Sequence, residues 1–351
     1  MKHKLLLFVL LTASLPLLAT GSIKERLSPN ETLWFTYPAR NWSEQALHIG
    51  NGYMGASFYG EVEKERFDIA EKTFWTGGPH SVPDFNYGVV KGGKDKIAAI
   101  RQSITDRRFA EADSLSRLYM VGDYTNYGYF SMVGNLFVDF GKKNQPVQNY
   151  LRGIDLSTSR GFVEYTQGDV RFNREYFCSY PDKLLALHFT ADQKGKISFS
   201  LSHSLVYQPE KITEGKDELI FNGIIQGNGL GYTIRMKVLR QGGSIKVGHQ
   251  QITVEGADEA TIFYTVDTEY SPVYPLYKGE KPRQTTEKTI KSAITKGYET
   301  VKHTHISDYQ TLYNRVKFTL SGDTASEKLP TDIRVKQLQQ GFTDDASLKV
   351  L

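Results

Sequence analysis

"ALHIGNGYMGASFYGEV", from Ala46 to Val62, decides the fold because it joins a glycine-rich turn to a strand-like segment. Its glycines reproduce the G-x-G-x-x-G string of dinucleotide sites, but such a site needs a helix to follow, and "ASFYGEV" is typical of a strand. No Gly-Lys-Ser or Gly-Lys-Thr completes a phosphate loop here. Gly50 and Gly52 are therefore interpreted as giving the backbone freedom where a side chain would clash.

The surrounding chain has the pattern of a β protein, with short apolar runs separated by Gly, Pro, Asn and Asp turns. A turn near Glu63 and Lys64 is expected to fold the quoted stretch into a hairpin. Further strands are predicted at residues 134–140, 183–191, 196–205, 232–240 and 259–268. Strands at this density predict a mostly β fold, a large antiparallel β-sandwich over residues 30–275.

Helical periodicity occurs in three places. Residues 94–118 carry apolar side chains mostly at three- and four-residue spacings, which predicts two short helices inserted in the sandwich. An apolar stripe from Ile290 to Val316 predicts a helical linker over residues 286–320 that packs on another element. Residues 328–351 begin another helix-like region, and its abrupt stop leads us to expect a fragment of a longer protein.

The N-terminal residues 1–21 have the pattern of a secretory signal peptide. Lys2 and Lys4 precede a short apolar run, and Ala19 and Gly21 supply small residues for cleavage. The run is too short to span a bilayer, so no membrane partner is expected. Removal of the signal would leave about 330 residues, enough for a sizeable core, in the periplasm or outside the cell.

Composition excludes several classes of function. The formal charge of +4 includes the two lysines of the signal peptide, so nucleic-acid binding gains no support. Cys178 is the single cysteine, which excludes an internal disulfide and a CxxC metal framework. His303 and His305 are the only close histidine pair, and a helix would point them in different directions. We therefore predict no metal and no cofactor.

Two features fit carbohydrate chemistry without requiring it. Aromatic residues make up 12% of the chain and 21 of them are tyrosines, which suits both β strands and contacts with sugar rings. Carboxylates cluster just after the quoted stretch, and glycoside hydrolysis needs two of them facing each other. They alternate with Lys64 and Arg66, which favours a solvated hairpin instead. The cluster consists of Glu61, Glu63, Glu65, Asp68 and Glu71.

Several strings together resemble the N-terminal part of glycoside hydrolase family 95, the α-L-fucosidase and α-L-galactosidase family. The strongest is Leu33–Pro79, which contains "YPARNW", "ALHIGNGYMGA" and "FWTGGP". Others are "YFSMVGNLFVDF", "YLRGIDLSTS", "NREYFCSYPDKLLALHFTA" and "HISDYQTLYNRVKFTL". The chain departs from the family pattern at His48, where proline is usual, and at Ala70 and Lys72, which flank the retained Glu71.

The resemblance implies a β-sandwich, a helical linker and then an (α/α)6 barrel. In the family, the barrel supplies a Glu general acid and an Asp with asparagines that position water for inversion. Residues 329–351 resemble the lead-in to the first barrel helix, so no catalytic residue is assigned within this chain. We therefore expect a catalytically silent portion of an exported enzyme that, when complete, removes terminal fucose or galactose from a glycan or oligosaccharide.

Two alternatives stay open. One is a stand-alone carbohydrate-binding β-sandwich, which should bind fucosylated oligosaccharides by itself. The other is a related sandwich-plus-barrel phosphorylase or hydrolase family, against which the Trp-Thr-Gly-Gly-Pro string at 75–79 argues. On the sandwich side, Asn51 and Trp75 are the candidate substrate-binding residues. The sequence does not indicate an oligomeric state.

Overall fold

Strands make up most of the structured chain. The computed structural model describes residues 28, 31–78, 90–122, 128–274, 276–321, 325–342 and 344–350, and the predicted signal peptide lies outside these ranges. None of the helices in the described ranges is both long enough and apolar enough to cross a membrane.

Fourteen strands of the described residues form one hydrogen-bonded sheet. They are β1 Thr32–Phe35, β2 Leu47–Gly50, β3 Met54–Phe58, β4 Lys64–Glu71, β5 Gly134–Asp139, β6 Val147–Asp155, β7 Arg160–Gln167, β8 Val170–Ser179, β9 Leu184–Ala191, β10 Ile197–Leu205, β11 Lys211–Glu214, β12 Glu218–Ile224, β13 Gly231–Gly248 and β14 Gln251–Thr268. The order in the sheet is β1-β6-β7-β8-β9-β14-β10-β5-β4-β3-β2, and β13, β12 and β11 branch from β14. Neighbours pair antiparallel, which confirms the predicted mostly β class.

The sheet curls until its two halves pack face to face. Phe58 of β3 and Phe67 of β4 place their ring edges against Tyr176 of β8, with centroids 5.1 and 4.9 Å away. Four strands separate β4 from β8 in the sheet order, so curling must bring these rings together. All three side chains are fully buried. Burying each contributes about 1.5–3 kcal/mol, so the core between the two layers stabilises the sandwich.

The predicted local structure is largely confirmed. β3 and β4 form the expected hairpin, and the five strands predicted downstream correspond to β5, β9, β10, β13 and β14. β13 and β14 are longer than predicted, at 18 residues each. Gly52 adopts a φ of +77° in the turn before β3, a conformation that L side chains rarely adopt. Gly52 therefore supplies the predicted backbone freedom, but the predicted side-chain clash is absent there, because no atom lies within 4 Å of the position that a Cβ would take.

The prediction of a solvated hairpin for the carboxylate cluster is wrong for three of its five members. Glu65, Asp68 and Glu71 are buried. The Glu65 carboxylate accepts the backbone N–H groups of Tyr59 and Gly60 at 3.1 and 2.8 Å. Alternating charge predicts exposure only where no other part of the chain covers the strand. Here Glu65 faces Arg174 of the opposite layer, whereas Asp68 accepts bonds from Tyr59, Arg66 and Asn135 beside it.

A buried arginine ties the two layers together. The Arg174 guanidinium on β8 donates to the carbonyls of Glu61 and Val62, at 2.7 and 2.6 Å, in the turn between β3 and β4. It also donates to the Tyr165 hydroxyl at 2.8 Å, and its Nη1 lies 3.7 Å from Glu65 Oε2. Arg174 therefore joins the turn of one layer to a central strand of the other.

The helices of the described residues lie between the strands and after them. They are α1 Trp42–Gln45, α2 Ile97–Thr105, α3 Phe109–Tyr119, α4 Pro282–Lys296, α5 Tyr298–Tyr313, α6 Thr331–Gln339 and α7 Ala346–Val350. The two helices predicted in 94–118 are α2 and α3. The predicted linker corresponds to the helix pair α4 and α5, and only part of its apolar stripe is buried. Ile290 and Val301 are buried against β8, β9 and β14, whereas Leu312 and Val316 are exposed.

The last helices pack against the first strand. The backbone N–H of Trp34 donates to Thr331 Oγ1 at 2.9 Å, which joins β1 to α6. Arg334 of α6 donates twice to the Asp345 carboxylate, at 2.7 Å each, and both side chains are fully buried. This pair holds the pKa of Asp345 down to about 2. The described residues in the region predicted as a barrel start, 328–342 and 344–350, are thus attached to the sandwich through α6.

Candidate functional site

Several distant chain segments converge beside Trp75, just after β4 ends. The backbone N–H of Thr76 donates to the Tyr129 carbonyl at 3.0 Å, which ties the segment to a loop about 50 residues later. From the loop after β12, Asn228 Nδ2 donates to the carbonyls of Trp75 and Gly77 at 2.5 and 3.2 Å. These bonds fix the segment from 72 to 78 as one wall of a cleft.

The loop after β14 forms the opposite wall. Tyr270 and Lys278 make an antiparallel bridge, and the N–H of Ser271 donates to the Tyr277 carbonyl at 3.1 Å. Together the walls enclose a cavity of about 390 Å³. Its lining residues are Lys72, Thr73, Trp75, Thr76, Gly77, Gly78, Asn228, Leu230, Tyr270, Leu276, Tyr277 and Lys278. We call this cavity the Trp75 cleft.

The aromatic rings of the Trp75 cleft are accessible. Trp75 is 47% exposed and Tyr270 is 44% exposed. The Trp75 indole N–H donates to the Lys72 carbonyl at 3.0 Å, and the edge-to-face contact with Phe130, at 6.0 Å between centroids, holds the ring further. An indole fixed in this way offers apolar ring surface rather than a hydrogen-bond donor, which suits the CH face of a sugar ring.

Glu71 lies behind the cleft and is inaccessible. Its Oε2 accepts the backbone N–H and the hydroxyl of Thr73 at 3.0 and 2.6 Å, and the Thr73 hydroxyl in turn contacts that of Thr268 at 2.5 Å. Among the described residues, Glu71 Oε1 has no hydrogen-bond partner. Burial raises the pKa of Glu71 to about 7 against the opposing effect of Thr73. Its contacts therefore hold Thr73, which lines the cleft.

The cleft lining, as far as the structure describes it, contains no carboxylate. Inverting glycosidases need two carboxyl groups roughly 6.5–9.5 Å apart, one on each side of the scissile bond. The described ranges also contain no group of three or more His, Cys, Asp or Glu side chains that could hold a metal ion. The Trp75 cleft can therefore hold a sugar by stacking and hydrogen bonding, but it does not itself present an acid and a base.

The two residues predicted from sequence have different environments. Trp75 lines the cleft. Asn51 is not among its lining residues: its Oδ1 accepts the N–H groups of Tyr53 and Met54 at 2.9 and 2.8 Å, and its Nδ2 donates to the Ser179 carbonyl at 2.8 Å. The Tyr53 carbonyl then accepts the N–H of Lys72 at 3.0 Å. Asn51 therefore holds the turn that supports one wall.

Trp75 is the only residue of the described cleft lining that the sequence predicts; among those that it misses, Asn228, Tyr270, Tyr277 and Lys278 come from distant loops. Their local signal was present but ambiguous. Asn228 lies in a glycine-rich loop that predicted only a turn, and the two tyrosines and the lysine follow the last strand in a Pro- and Tyr-rich segment. Nothing in either segment indicates that they meet Trp75, about 150 and 200 residues earlier in the chain.

Comparisons with known families agree with this architecture. Residues 33–272 match the family described as "Glycosyl hydrolase family 65, N-terminal domain". Residues 297–351, which include α5, α6 and α7, match "Glycosyl hydrolase family 95 catalytic domain". The first match covers the sheet and the Trp75 cleft up to Pro272, and the second covers the helices that follow α4.

Curated relatives carry fucosidase names. The chain is 26% identical over 341 residues to "Alpha-L-fucosidase 2" from Arabidopsis thaliana, covering 89% of this chain and 39% of the relative. It is 27% identical over 319 residues to "Probable alpha-fucosidase A" from Aspergillus niger, covering 86% and 39%. The chain thus spans about two fifths of the length of these relatives. It belongs to the family of glycosyl hydrolase family 65 N-terminal domains, and its residues 297–351 match the family 95 catalytic domain.

Proposed function

We propose that this chain is the N-terminal, glycan-contacting portion of an exported α-L-fucosidase-type enzyme, and that the Trp75 cleft supplies its contact with the substrate. The observation that carries the proposal is the exposed, fixed Trp75 ring in a cavity of about 390 Å³ lined by two further aromatic rings. Terminal fucose or galactose is the sugar that the complete enzyme would remove by inversion.

Catalysis is proposed to need groups that this chain does not supply. The carboxylates nearest the cleft in sequence are unsuited to proton transfer with a bound sugar. Glu71 is fully buried, and Glu269 Oε2 lies 3.7 Å from the ammonium group of Lys278 in the opposite wall. We therefore expect the 351-residue chain to hold a glycan without cleaving it.

Asn51 is proposed to support the cleft without touching the glycan. Its side chain is engaged by the turn before β3 and by Ser179, and that turn bonds the backbone of Lys72. Alanine at Asn51 should therefore weaken glycan binding less than alanine at Trp75.

The stand-alone carbohydrate-binding module is the second candidate, and affinity separates the two. A module that works alone should bind fucosylated oligosaccharides with a Kd in the micromolar range. One wall of a larger site should bind about a thousandfold more weakly, near 1 mM, which corresponds to about −4 kcal/mol. The exposed Leu312 and Val316 favour the enzyme portion, because apolar surface of this kind commonly marks an interaction site.

Replacing Trp75 by alanine tests the proposed contact. We expect the Kd for a fucosylated trisaccharide to rise about tenfold, because one ring stack contributes roughly 0.5–1.5 kcal/mol and apolar burial adds to it. A titration followed by NMR measures this change in the millimolar range.

Trp42 provides the matched control. It is 55% exposed but lies outside the cleft, and its indole N–H donates to Ser57 Oγ at 2.9 Å. Alanine at Trp42 should leave the Kd unchanged. Equal effects of the two substitutions, or none at Trp75, would refute a specific contact at the Trp75 cleft.

A further inference from the structure

We infer that the Trp75 cleft selects a glycan that carries an anionic substituent, a uronic acid carboxylate or a sulfate ester, beside the sugar stacked on Trp75. This inference rests on the proposed function, because it specifies the ligand of the same cleft. It is carried by the charges of the two walls, which neither the fold nor the fucosidase relationship requires.

Both walls contribute a lysine. Lys72 follows β4 and is exposed, and its Nζ lies 5.1 Å from the centroid of the Tyr53 ring. Lys278 belongs to the opposite loop, with its side chain 51% exposed. Both lysines therefore line the cavity, and the present partners of their ammonium groups are the Tyr53 ring for Lys72 and the Glu269 carboxylate for Lys278.

The negative charge near these lysines belongs to residues outside the described cleft lining. The described cleft lining contains no Asp or Glu. Glu269 Oε2 lies 3.7 Å from Lys278 Nζ but also accepts the N–H of Gly231 at 3.1 Å, so it is divided between two partners. Within the described ranges, Lys72 forms no salt bridge closer than 4 Å. An anionic group bound between the walls would therefore lie beside two lysine side chains, and no carboxylate belongs to the described lining.

The remaining polar groups suit the neutral part of the ligand. The hydroxyls of the lining residues Tyr270 and Tyr277 can bond sugar hydroxyls, whereas the Asn228 amide and the Thr76 hydroxyl are engaged by bonds within the protein. A neutral ring on Trp75 with an acidic neighbour would thus use the aromatic, polar and charged groups of the cleft together. A wholly neutral glycan would leave both lysines without a ligand contact.

The test compares three oligosaccharides on the 351-residue chain: a neutral fucosylated trisaccharide, the same compound with a sulfate ester, and an analogue with a uronic acid residue. We expect either or both anionic compounds to bind about three- to tenfold more tightly than the neutral one, because exposed charge pairs are individually weak. The preference should shrink at about 0.5 M NaCl, where screening is strong. The compound that gains affinity identifies the substituent.

The double variant Lys72→Gln, Lys278→Gln should abolish the preference, so that the neutral and the anionic compounds bind this variant with equal affinity. Lys194→Gln, Lys246→Gln is the matched control, since both lysines are exposed and lie outside the cleft. Equal or weaker binding of both anionic compounds would overturn the inference while leaving the proposed function intact. Absence of any Trp75-dependent binding would instead contradict the proposed function.

Discussion

Arg174→Ala should lower the free energy of unfolding by about 3–5 kcal/mol, because it removes one partner of a buried ionic network. Three hydrogen bonds of 2.6–2.8 Å would be lost, two of them to the turn between β3 and β4. The substitution would also leave the fully buried Glu65 without the arginine that faces it at 3.7 Å. The guanidinium further stacks over the Phe140 ring, 3.8 Å from its centroid.

Urea unfolding of the purified chain measures this effect. Arg117→Ala is the control, because Arg117 forms its salt bridge with Asp113 on the surface of α3, where such a pair contributes about 0–1 kcal/mol. Replacing Arg174 and Glu65 together by apolar residues should recover part of the loss, because no unpaired charge would then be buried. A loss below about 1 kcal/mol for Arg174→Ala, the range of a surface pair, would contradict the view that Arg174 holds the two layers together.

Two histidines should make the fold sensitive to acid. Burial lowers the pKa of His188 and of His203 to about 4. His188 stacks on Tyr298 of α5 with centroids 3.9 Å apart, and His203 Nε2 lies 3.1 Å from the Tyr264 hydroxyl. An unfolded histidine takes up its proton near pH 6.5, so these residues contribute stability above about that pH that is lost as the pH falls towards 4.

Each histidine should account for about 2 kcal/mol of stability lost between about pH 7 and pH 4.5. His188→Phe and His203→Phe should each reduce the pH dependence of the unfolding free energy by that amount, whatever their effect at neutral pH. Glu71 acts in the opposite sense, since its raised pKa of about 7 gives stability at low pH that is lost as the pH rises. Glu71→Gln should therefore increase the acid loss, and an unchanged pH dependence in all three variants would contradict the assigned environments.

Local structure was predictable from sequence because its causes are local. The strands at 134–139 and 184–191 are predicted by alternating or continuous apolar residues. The turn at Gly52 is predicted because glycine tolerates a positive φ. The burial of Glu65 could not be predicted in the same way. Its partner Arg174 lies more than 100 residues later, and only the curl of the sheet brings the two together.

The same reasoning explains the partial prediction of the cleft. Trp75 belongs to the sequence strings that resemble glycoside hydrolase family 95 and is identified from them. Asn228 and Lys278 reach the same cleft only because distant loops meet in the tertiary structure. Asn51 shared the family string but bonds its own turn and Ser179. A sequence segment that resembles a family therefore indicates where the site lies. The tertiary structure determines which residues of that segment face the ligand.

The most direct test of the account is an NMR titration of the 351-residue chain, labelled with ¹⁵N at its three tryptophan indoles, with a neutral fucosylated trisaccharide. We predict that the Trp75 signal shifts, that the signals of the buried Trp34 and of Trp42 stay in place, and that no free fucose appears in the same tube over a day. A Trp75 signal that does not respond at millimolar sugar, or the release of fucose, would contradict the claim that this chain contacts a glycan without cleaving it.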